Sequence, residues 1–150
     1  MSAESIKNRL VKTFLRKGHD GLYTRVFENL DQSQRDFLLE VVPLQEGDRP
    51  VIGSLQRADK WLLITTQKVV WRSGEETRSI PTSEILQVSA DFNSLFQSGG
   101  TKLQLKELQI ETVNRESHTV EVEEGSPLIG VWNVLKQLGN LNKSAADSSH

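Results

Sequence analysis

The spacing of the apolar residues changes from a helical to a strand-like period at residues 45–50. Before this point, apolar side chains recur every three or four residues, which predicts amphipathic helices. After it, short runs of apolar and β-branched residues alternate with polar turns, which predicts strands. The turn-rich sequence Gln-Glu-Gly-Asp-Arg-Pro occupies the change itself. We therefore divide the chain into a helical segment at 1–45, a mostly β domain at 46–141 and a polar tail at 142–150 that we expect to be disordered.

The helical segment is predicted to begin with an amphipathic helix. This helix starts after a cap at Ser2 or Ser5. On a helical wheel its apolar residues lie on one arc, and Arg9, Lys12 and Arg16 lie on the opposite side. The segment therefore combines one face suited to packing with one basic face.

One or two further short helices are predicted before the boundary, which makes two or three in the first 45 residues. Gly18 and Gly21 end the first helix because glycine is a strong breaker. A second apolar set at 22–30 continues the helical period and is predicted to be helical. Asp31 then has the position of an N-cap for a helix that Pro43 stops.

The β domain is predicted to contain about seven short strands. The first five are expected at 51–56, 60–66, 69–71, 77–80 and 85–90, and two more flank a turn at 114–117. In the fifth strand Leu86, Val88 and Ala90 alternate with polar residues, which predicts that these three side chains face the core.

The last two strands are predicted to carry an irregularity and an acidic outer face. The apolar parity switches between Leu105 and Leu108, which favours a β-bulge at 106–107. His118 shares the inward face with apolar residues, whereas Glu121 lies on the outer face with other polar residues. The outer surface of this hairpin is therefore expected to be acidic.

A closing helix follows the last strand. Ser126 is its predicted cap, and Pro127 suits the first helical position because its missing N–H needs no partner there. Gly139 is predicted to end the helix.

Seven short strands followed by one amphipathic helix is the element order of the pleckstrin-homology-like fold. The stretch Trp-Leu-Leu-Ile-Thr-Thr-Gln-Lys-Val-Val-Trp at 61–71, followed by Ile-Pro-Thr-Ser-Glu-Ile-Leu-Gln-Val at 80–88, resembles the bacterial pleckstrin-homology-like and GRAM-like pattern. The resemblance covers residues 50–141. It implies an α+β, mostly β fold: a two-sheet open barrel of about seven antiparallel strands capped by a C-terminal helix. A different small open barrel and a sheet-plus-helix α+β domain are the alternatives.

Composition and motifs argue against several classes of function. The chain has no cysteine and three widely separated histidines, so we predict no disulfide and no metal site. Nucleophile elbows, P-loops and dinucleotide-binding glycine patterns are absent from the sequence, which predicts no enzymatic activity and no cofactor. A net charge of −2 gives no general attraction for nucleic acid. The N-terminus has no apolar stretch of signal-peptide length, so we expect a cytoplasmic protein.

The leading hypothesis for function is contact with another protein. Phe92, Leu95 and Phe96 lie in a glycine-containing loop, where they either fold back on the core or anchor a partner. One specific version is a small cytoplasmic inhibitor, similar to the bacterial immunity proteins that neutralise a toxin by direct contact. That version accounts for the acidic hairpin without invoking a substrate.

The alternative hypothesis is a peripheral membrane module that binds anionic lipid. Its candidate residues are basic side chains in loops and on the first helix: Arg57, Lys60, Arg72, Arg115, Arg9, Lys12 and Arg16. The four loop residues have acidic neighbours in the sequence, and this weakens any concentration of positive charge in the loops.

Overall fold

The computed structural model describes residues 2–90, 99 and 105–148, with side chains described as far as residue 141. It has an α+β architecture with two antiparallel sheets, N-terminal helices and a long C-terminal helix. The elements are α1 (Ala3–Lys17), β1 (Thr24–Val26), a 3₁₀ turn (Phe27–Asn29), α2 (Gln32–Val41), β2 (Pro50–Arg57), β3 (Lys60–Thr65), β4 (Lys68–Ser73), β5 (Glu76–Pro81), a second 3₁₀ turn (Thr82–Glu84), β6 (Ile85–Ser89), β7 (Glu107–Thr112), β8 (Ser117–Glu121) and α3 (Ser126–Ser148).

The described strands form a five-stranded sheet in the order β1-β2-β3-β4-β5 and a three-stranded sheet in the order β6-β7-β8. Every neighbouring pair is antiparallel. No ladder between described strands joins the two sheets, so they do not close into a barrel. The strands from β2 to β8 match the predicted strands closely, and β1 is an additional strand.

The first helix follows its predicted pattern. Ser2 is the N-cap, and its hydroxyl accepts a hydrogen bond from the Ser5 backbone N–H at 3.1 Å. Leu10 and Phe14 are fully buried on the apolar face. The helix ends where the Gly18 N–H donates to the Phe14 carbonyl at 2.8 Å.

α1 packs antiparallel against α3. Gly18 near the end of α1 lies against Gly130 near the start of α3, and Thr13 donates a hydrogen bond to Gln137 further along α3. A Cβ on Gly18 would lie 2.7 Å from the Gly130 backbone nitrogen. The two helices therefore approach each other closely only because both positions lack a side chain.

The predicted helix at 22–30 is wrong. Residues Thr24–Val26 form β1, which pairs with β2, and a 3₁₀ turn follows. The physical reason is competition for the backbone N–H groups, since carboxylates bind those that a helix would use internally. Asp20 accepts from the Val26 N–H, and Glu123 accepts from the N–H groups of Leu22, Tyr23 and Thr24.

The prediction for α2 is confirmed. Asp31 is its N-cap, and Gln34 completes a capping box with it. Leu38 on α2 is fully buried against the outer face of the five-stranded sheet, in a second core cluster that includes Trp61. The sheet is therefore covered on both faces, because its other face contributes to the main core with α1, α3 and the three-stranded sheet.

The predicted inward position of Leu86 is also wrong. Ile85 pairs with Thr112 and Gln87 pairs with Glu111, so Leu86 is the extra residue of a β-bulge and is 40 % exposed. A bulge shifts the alternation of side chains by one residue. Ile85 on one side of the bulge and Val88 on the other are therefore buried instead. At 106–107 the structure shows a break rather than the favoured bulge: residues 105–106 lie outside a strand, and β7 begins at Glu107 with no register shift against β8.

The predicted end of the last helix at Gly139 is wrong. α3 continues to Ser148, and Gly139 lies inside it. A Cβ on Gly139 would lie 3.2 Å from the Ile85 Cγ2 atom. This glycine serves close packing of the helix on β6 rather than a helix cap. Among the described helices, α3 included, none has the length and apolar character needed to cross a membrane.

Candidate functional site

Two of the predicted lipid-binding residues are already paired with acids. Arg57 Nε lies 3.3 Å from Asp59 Oδ1 within the turn between β2 and β3. Lys60 Nζ lies 3.1 Å from Glu121 Oε2, a residue of the other sheet. Both cations therefore face carboxylates rather than an open anion site.

The other two loop candidates lie far from each other. Arg72 Nε donates to the Gly74 carbonyl at 2.9 Å, and the Gly74 N–H donates to the Asp59 carbonyl in the turn between β2 and β3. Arg115 follows β7 with a φ of 67°, in a turn that is hydrogen-bonded to Glu84. It precedes the start of β8, whereas Glu121 at the end of β8 is the residue that contacts Lys60. The structure therefore does not bring the four basic loop residues together.

The basic residues of α1 form an exposed stripe. Arg9, Lys12 and Arg16 are spaced three and four residues apart and are all exposed. The apolar face of the same helix, with Leu10 and Phe14, is buried against the rest of the protein. α1 could therefore meet a charged surface but has no free apolar face to insert into lipid.

The predicted anchor residues Phe92, Leu95 and Phe96 lie outside the described residues. Their role stays a prediction. The clearest exposed apolar feature of the described part lies elsewhere, at the turn of residues 20–23 between α1 and β1, which we call the Leu22–Tyr23 turn.

Glu123 holds the backbone of the Leu22–Tyr23 turn. Its Oε2 atom accepts from the Leu22 N–H at 2.8 Å, and its Oε1 atom accepts from the N–H groups of Tyr23 and Thr24, each at 2.8 Å. Gly21 leaves room for this carboxylate, because a Cβ would lie 2.4 Å from Glu123 Oε2. A single carboxylate thus fixes three consecutive backbone groups, and hydrogen bonds of this charge-assisted kind are the strong ones.

The other side of the turn is held by Asp20. Its Oδ1 atom accepts from the Val26 N–H at 2.9 Å, and its Oδ2 atom accepts from the Asn29 side-chain amide at 2.8 Å. The Thr24 hydroxyl donates to Ser54 on β2 at 2.9 Å. The turn is therefore connected to β1, to the five-stranded sheet and to the segment after β8.

The side chains at the tip of this turn are left exposed. Leu22 is 78 % exposed and Tyr23 is 42 % exposed, although both are large apolar residues. Their backbone is held in place while Leu22 projects from the protein and part of Tyr23 remains accessible. Such an arrangement presents an apolar anchor on a fixed backbone.

A groove of about 560 Å³ lies beside the turn. Leu22 and Tyr23 form one wall, and the other residues lining it come from the ends of β2, β3, β7 and β8 and the segments next to them: Gln56, Lys60, Lys106, Glu107, Glu121, Val122, Glu123 and Glu124. Most of these side chains are polar or charged. The groove therefore combines an apolar wall with charged sides.

Glu121 joins the two sheets at the groove. Its carboxylate binds Lys60, and it accepts a hydrogen bond from the Ser73 hydroxyl at 3.0 Å. The hydrogen bonds from Lys60 and then Ser73 lower the pKa of Glu121, and the positive charges of Lys60 and Arg57 add to this effect. This contact fixes the end of β8 against β3 and β4.

The half-buried His118 contacts Trp71, Arg78 and Glu116. Its ring meets the edge of Trp71 with ring centroids 6.0 Å apart, and its Nδ1 atom lies 3.3 Å from an Arg78 guanidinium nitrogen. Its Nε2 atom lies 3.4 Å from a Glu116 carboxylate oxygen. Within the described ranges, no group of three or more histidine and acidic side chains is placed to hold a metal ion.

The Leu22–Tyr23 turn was missed by the sequence reasoning, although Asp20-Gly21 is a turn signal that precedes it. Its helical periodicity was misleading, and the carboxylate that fixes it follows about a hundred residues later in the chain. Comparison with known proteins gives no further guide, since no protein-family model and no curated protein matches the chain.

Proposed function

We propose that this protein is a non-catalytic binding module that docks on a basic surface of another protein through the Leu22–Tyr23 turn. The observation that carries this proposal is the exposure of two adjacent large apolar side chains on a backbone fixed by Glu123. A fixed anchor loses little conformational entropy when it binds. Tyrosine is also enriched among the residues that dominate the binding energy of interfaces.

The basic character of the partner follows from the charge around the turn. Glu107, Glu121, Glu123 and Glu124 line the groove beside the turn, together with the basic residues Lys60 and Lys106. Glu121 pairs with Lys60 and Glu123 holds the turn, whereas Glu107 and Glu124 are exposed at its rim. An acidic rim around an apolar anchor favours a positively charged partner, both in the encounter and in the final complex.

The module that we propose has a pleckstrin-homology-like core formed by β2 to β8 and α3. This is supported by the order of four strands in one sheet, three in the next and a helix at the end. The helix packs on the second sheet, where the Trp132 indole N–H donates to the Val88 carbonyl at 3.2 Å. Folds of this kind serve several functions, so the choice of a protein partner rests on the Leu22–Tyr23 turn.

The most specific form of the proposal is a small cytoplasmic inhibitor that resembles an immunity protein. Such a protein acts by covering a functional surface of its target, and it needs a rigid anchor and charge complementarity rather than a catalytic group. The acidic hairpin and the fixed turn supply both of these features on one side of the molecule.

A peripheral membrane module is the second candidate, and the exposed stripe of Arg9, Lys12 and Arg16 is the observation in its favour. Attraction between such a stripe and anionic lipid contributes about 1 kcal/mol per basic residue and falls with salt. Because the apolar face of α1 is buried, this binding would be electrostatic only.

The experiment that tests the protein-docking proposal is affinity capture from native cell extract, followed by mass spectrometry. The bait is the wild-type chain, the double variant Leu22→Ser/Tyr23→Ser, or the control Val113→Ser, which removes an exposed apolar side chain in the β7–β8 turn. We expect one basic protein to bind the wild type and the control, to be lost with the double variant and to elute as salt rises.

The same capture has outcomes that contradict the proposal. A partner that the double variant retains would place the interface elsewhere, and an acidic partner would exclude the charge argument. Co-sedimentation with vesicles of anionic lipid at low salt tests the second candidate, the peripheral membrane module. Binding that is lost in the triple variant Arg9→Gln/Lys12→Gln/Arg16→Gln, with no protein captured, would move the function to the membrane surface.

A further inference from the structure

β5 is an edge strand of the five-stranded sheet, and its Glu76 and Arg78 side chains line a groove shared with Ser117, Thr119 and Glu121 of β8. Among the described strands it pairs only with β4, in a continuous register from Glu76 to Pro81 without a bulge. The side chains from Glu76 to Ser79 are all exposed. The edge therefore presents backbone N–H and C=O groups to which another strand can bind, up to Pro81, which has no N–H.

The charges on this edge are self-complementary. If two copies of β5 pair antiparallel about a two-fold axis at Thr77, residue 76 of each copy lies opposite residue 78 of the other. Glu76 of one copy then faces Arg78 of the other, and the symmetry makes this pair twice. Side chains directly opposite each other have Cβ atoms about 5 Å apart, which is close enough for opposite charges to attract.

From this edge and its charge order we infer that two copies of the chain associate through β5. The product is a two-fold dimer in which the five-stranded sheets of the two copies form one continuous sheet. In the single chain Arg78 Nη2 lies 3.1 Å from Glu76 Oε2. The Arg78 guanidinium also lies 3.3 Å from His118 Nδ1 on β8. Both contacts lie at the surface and contribute little, so they are readily exchanged for the two pairs between copies.

The interface is small, and the dimer is therefore concentration-dependent. A ladder of one short strand from each copy buries less than the roughly 1,000 Å² that marks a stable interface. We expect a dissociation constant in the range from about 10 μM to 1 mM, which is typical of weak encounters.

The dimer edge leaves the proposed docking site free. The Leu22–Tyr23 turn precedes β1, which is the opposite edge of the same sheet. Four strand spacings of about 4.8 Å separate the two edges, or about 19 Å. The inference thus stands whether or not the turn binds a protein, and a dimer would present two turns to a partner with two sites.

Charge-swap variants test this inference. The wild type is compared by sedimentation equilibrium, from 5 μM to 1 mM at low salt, with Glu76→Arg, with Arg78→Glu and with the double variant Glu76→Arg/Arg78→Glu. Each single variant places two pairs of like charges across the strands, and we expect dimerisation to weaken at least about tenfold. The double variant restores two opposite pairs and is expected to dimerise like the wild type.

Mixing the two single variants gives the sharpest control. One then carries Arg at both positions and the other Glu at both, so they are expected to form a heterodimer although neither forms a homodimer. The inference is overturned if the wild type is monomeric throughout the range, if the single variants dimerise as tightly as the wild type, or if the mixture remains monomeric. Near-ultraviolet circular dichroism identical to that of the wild type verifies that these exposed changes leave the fold intact.

Discussion

Replacement of Glu123 by glutamine tests the arrangement that fixes the Leu22–Tyr23 turn. The carboxylate accepts three backbone N–H groups at 2.8 Å, two of them on Oε1 and one on Oε2. Glutamine keeps one acceptor oxygen, and its NH₂ group would face a backbone N–H that it cannot accept. The variant has nearly the same size as the wild type, so the change isolates hydrogen bonding from packing.

The size of the effect follows from the three bonds. Each bond to a charged acceptor contributes about 2 kcal/mol, and a bond to a neutral acceptor contributes about 1 kcal/mol. Three charged bonds are replaced by at most two neutral ones, which is a loss of about 4 kcal/mol. Because Leu22 and Tyr23 are exposed, water binds part of the freed backbone, so we expect the free energy of unfolding to fall by about 2–4 kcal/mol.

Urea denaturation monitored by tryptophan fluorescence measures this change. The control is Glu124→Gln, which removes the same charge one residue later at an exposed position. We expect the control to stay within about 0.5 kcal/mol of the wild type. Equal stability of the two variants would refute the reasoning, because the loss in Glu123→Gln would then contain no contribution from the turn.

Two other changes test the packing and the joint between the sheets. Gly18→Ala places a Cβ 2.3 Å from the Ser126 carbonyl oxygen; because this atom belongs to the backbone, α1 and α3 must move apart, and we expect a loss of about 1–3 kcal/mol in urea denaturation. Glu121→Gln removes a carboxylate whose pKa lies below its ordinary value of 4.5, so its stabilisation is present above pH 4.5 and is lost as the pH falls through the lowered pKa. At neutral pH the wild type is expected to be more stable than Glu121→Gln by less than about 1 kcal/mol, because the side chain is largely exposed. This difference in stability is expected to shrink in acid. A difference that grows in acid would contradict the assigned partners of Glu121.

Local signals predicted the elements whose causes are local. Ser2, one of two predicted caps, and Asp31 cap their helices, because a cap depends on residues three positions away. The strands from β2 to β5 also lie where alternating apolar runs and turn residues place them. Within these elements the sequence contains the information that decides the structure.

The errors arose where distant residues decide. Residues 22–30 have a helical period, but the carboxylates of Asp20 and Glu123 bind their N–H groups and β2 supplies a strand to pair with. Glycine is typical of a helix end, but Gly139 lies inside α3 and allows close contact with Ile85 on β6. The candidate site belongs to this second class, since the exposure of Leu22 depends on a glutamate about a hundred residues away.

The central claim is that the Leu22–Tyr23 turn is the anchor of a protein interface. Its most direct test is isothermal titration calorimetry of the captured basic protein with the wild type, with Leu22→Ser/Tyr23→Ser and with Val113→Ser. Loss of an interface hot spot costs at least about 2 kcal/mol, so we expect the double variant to bind at least about 30-fold more weakly while the control binds like the wild type. Equal dissociation constants for all three chains would contradict the claim.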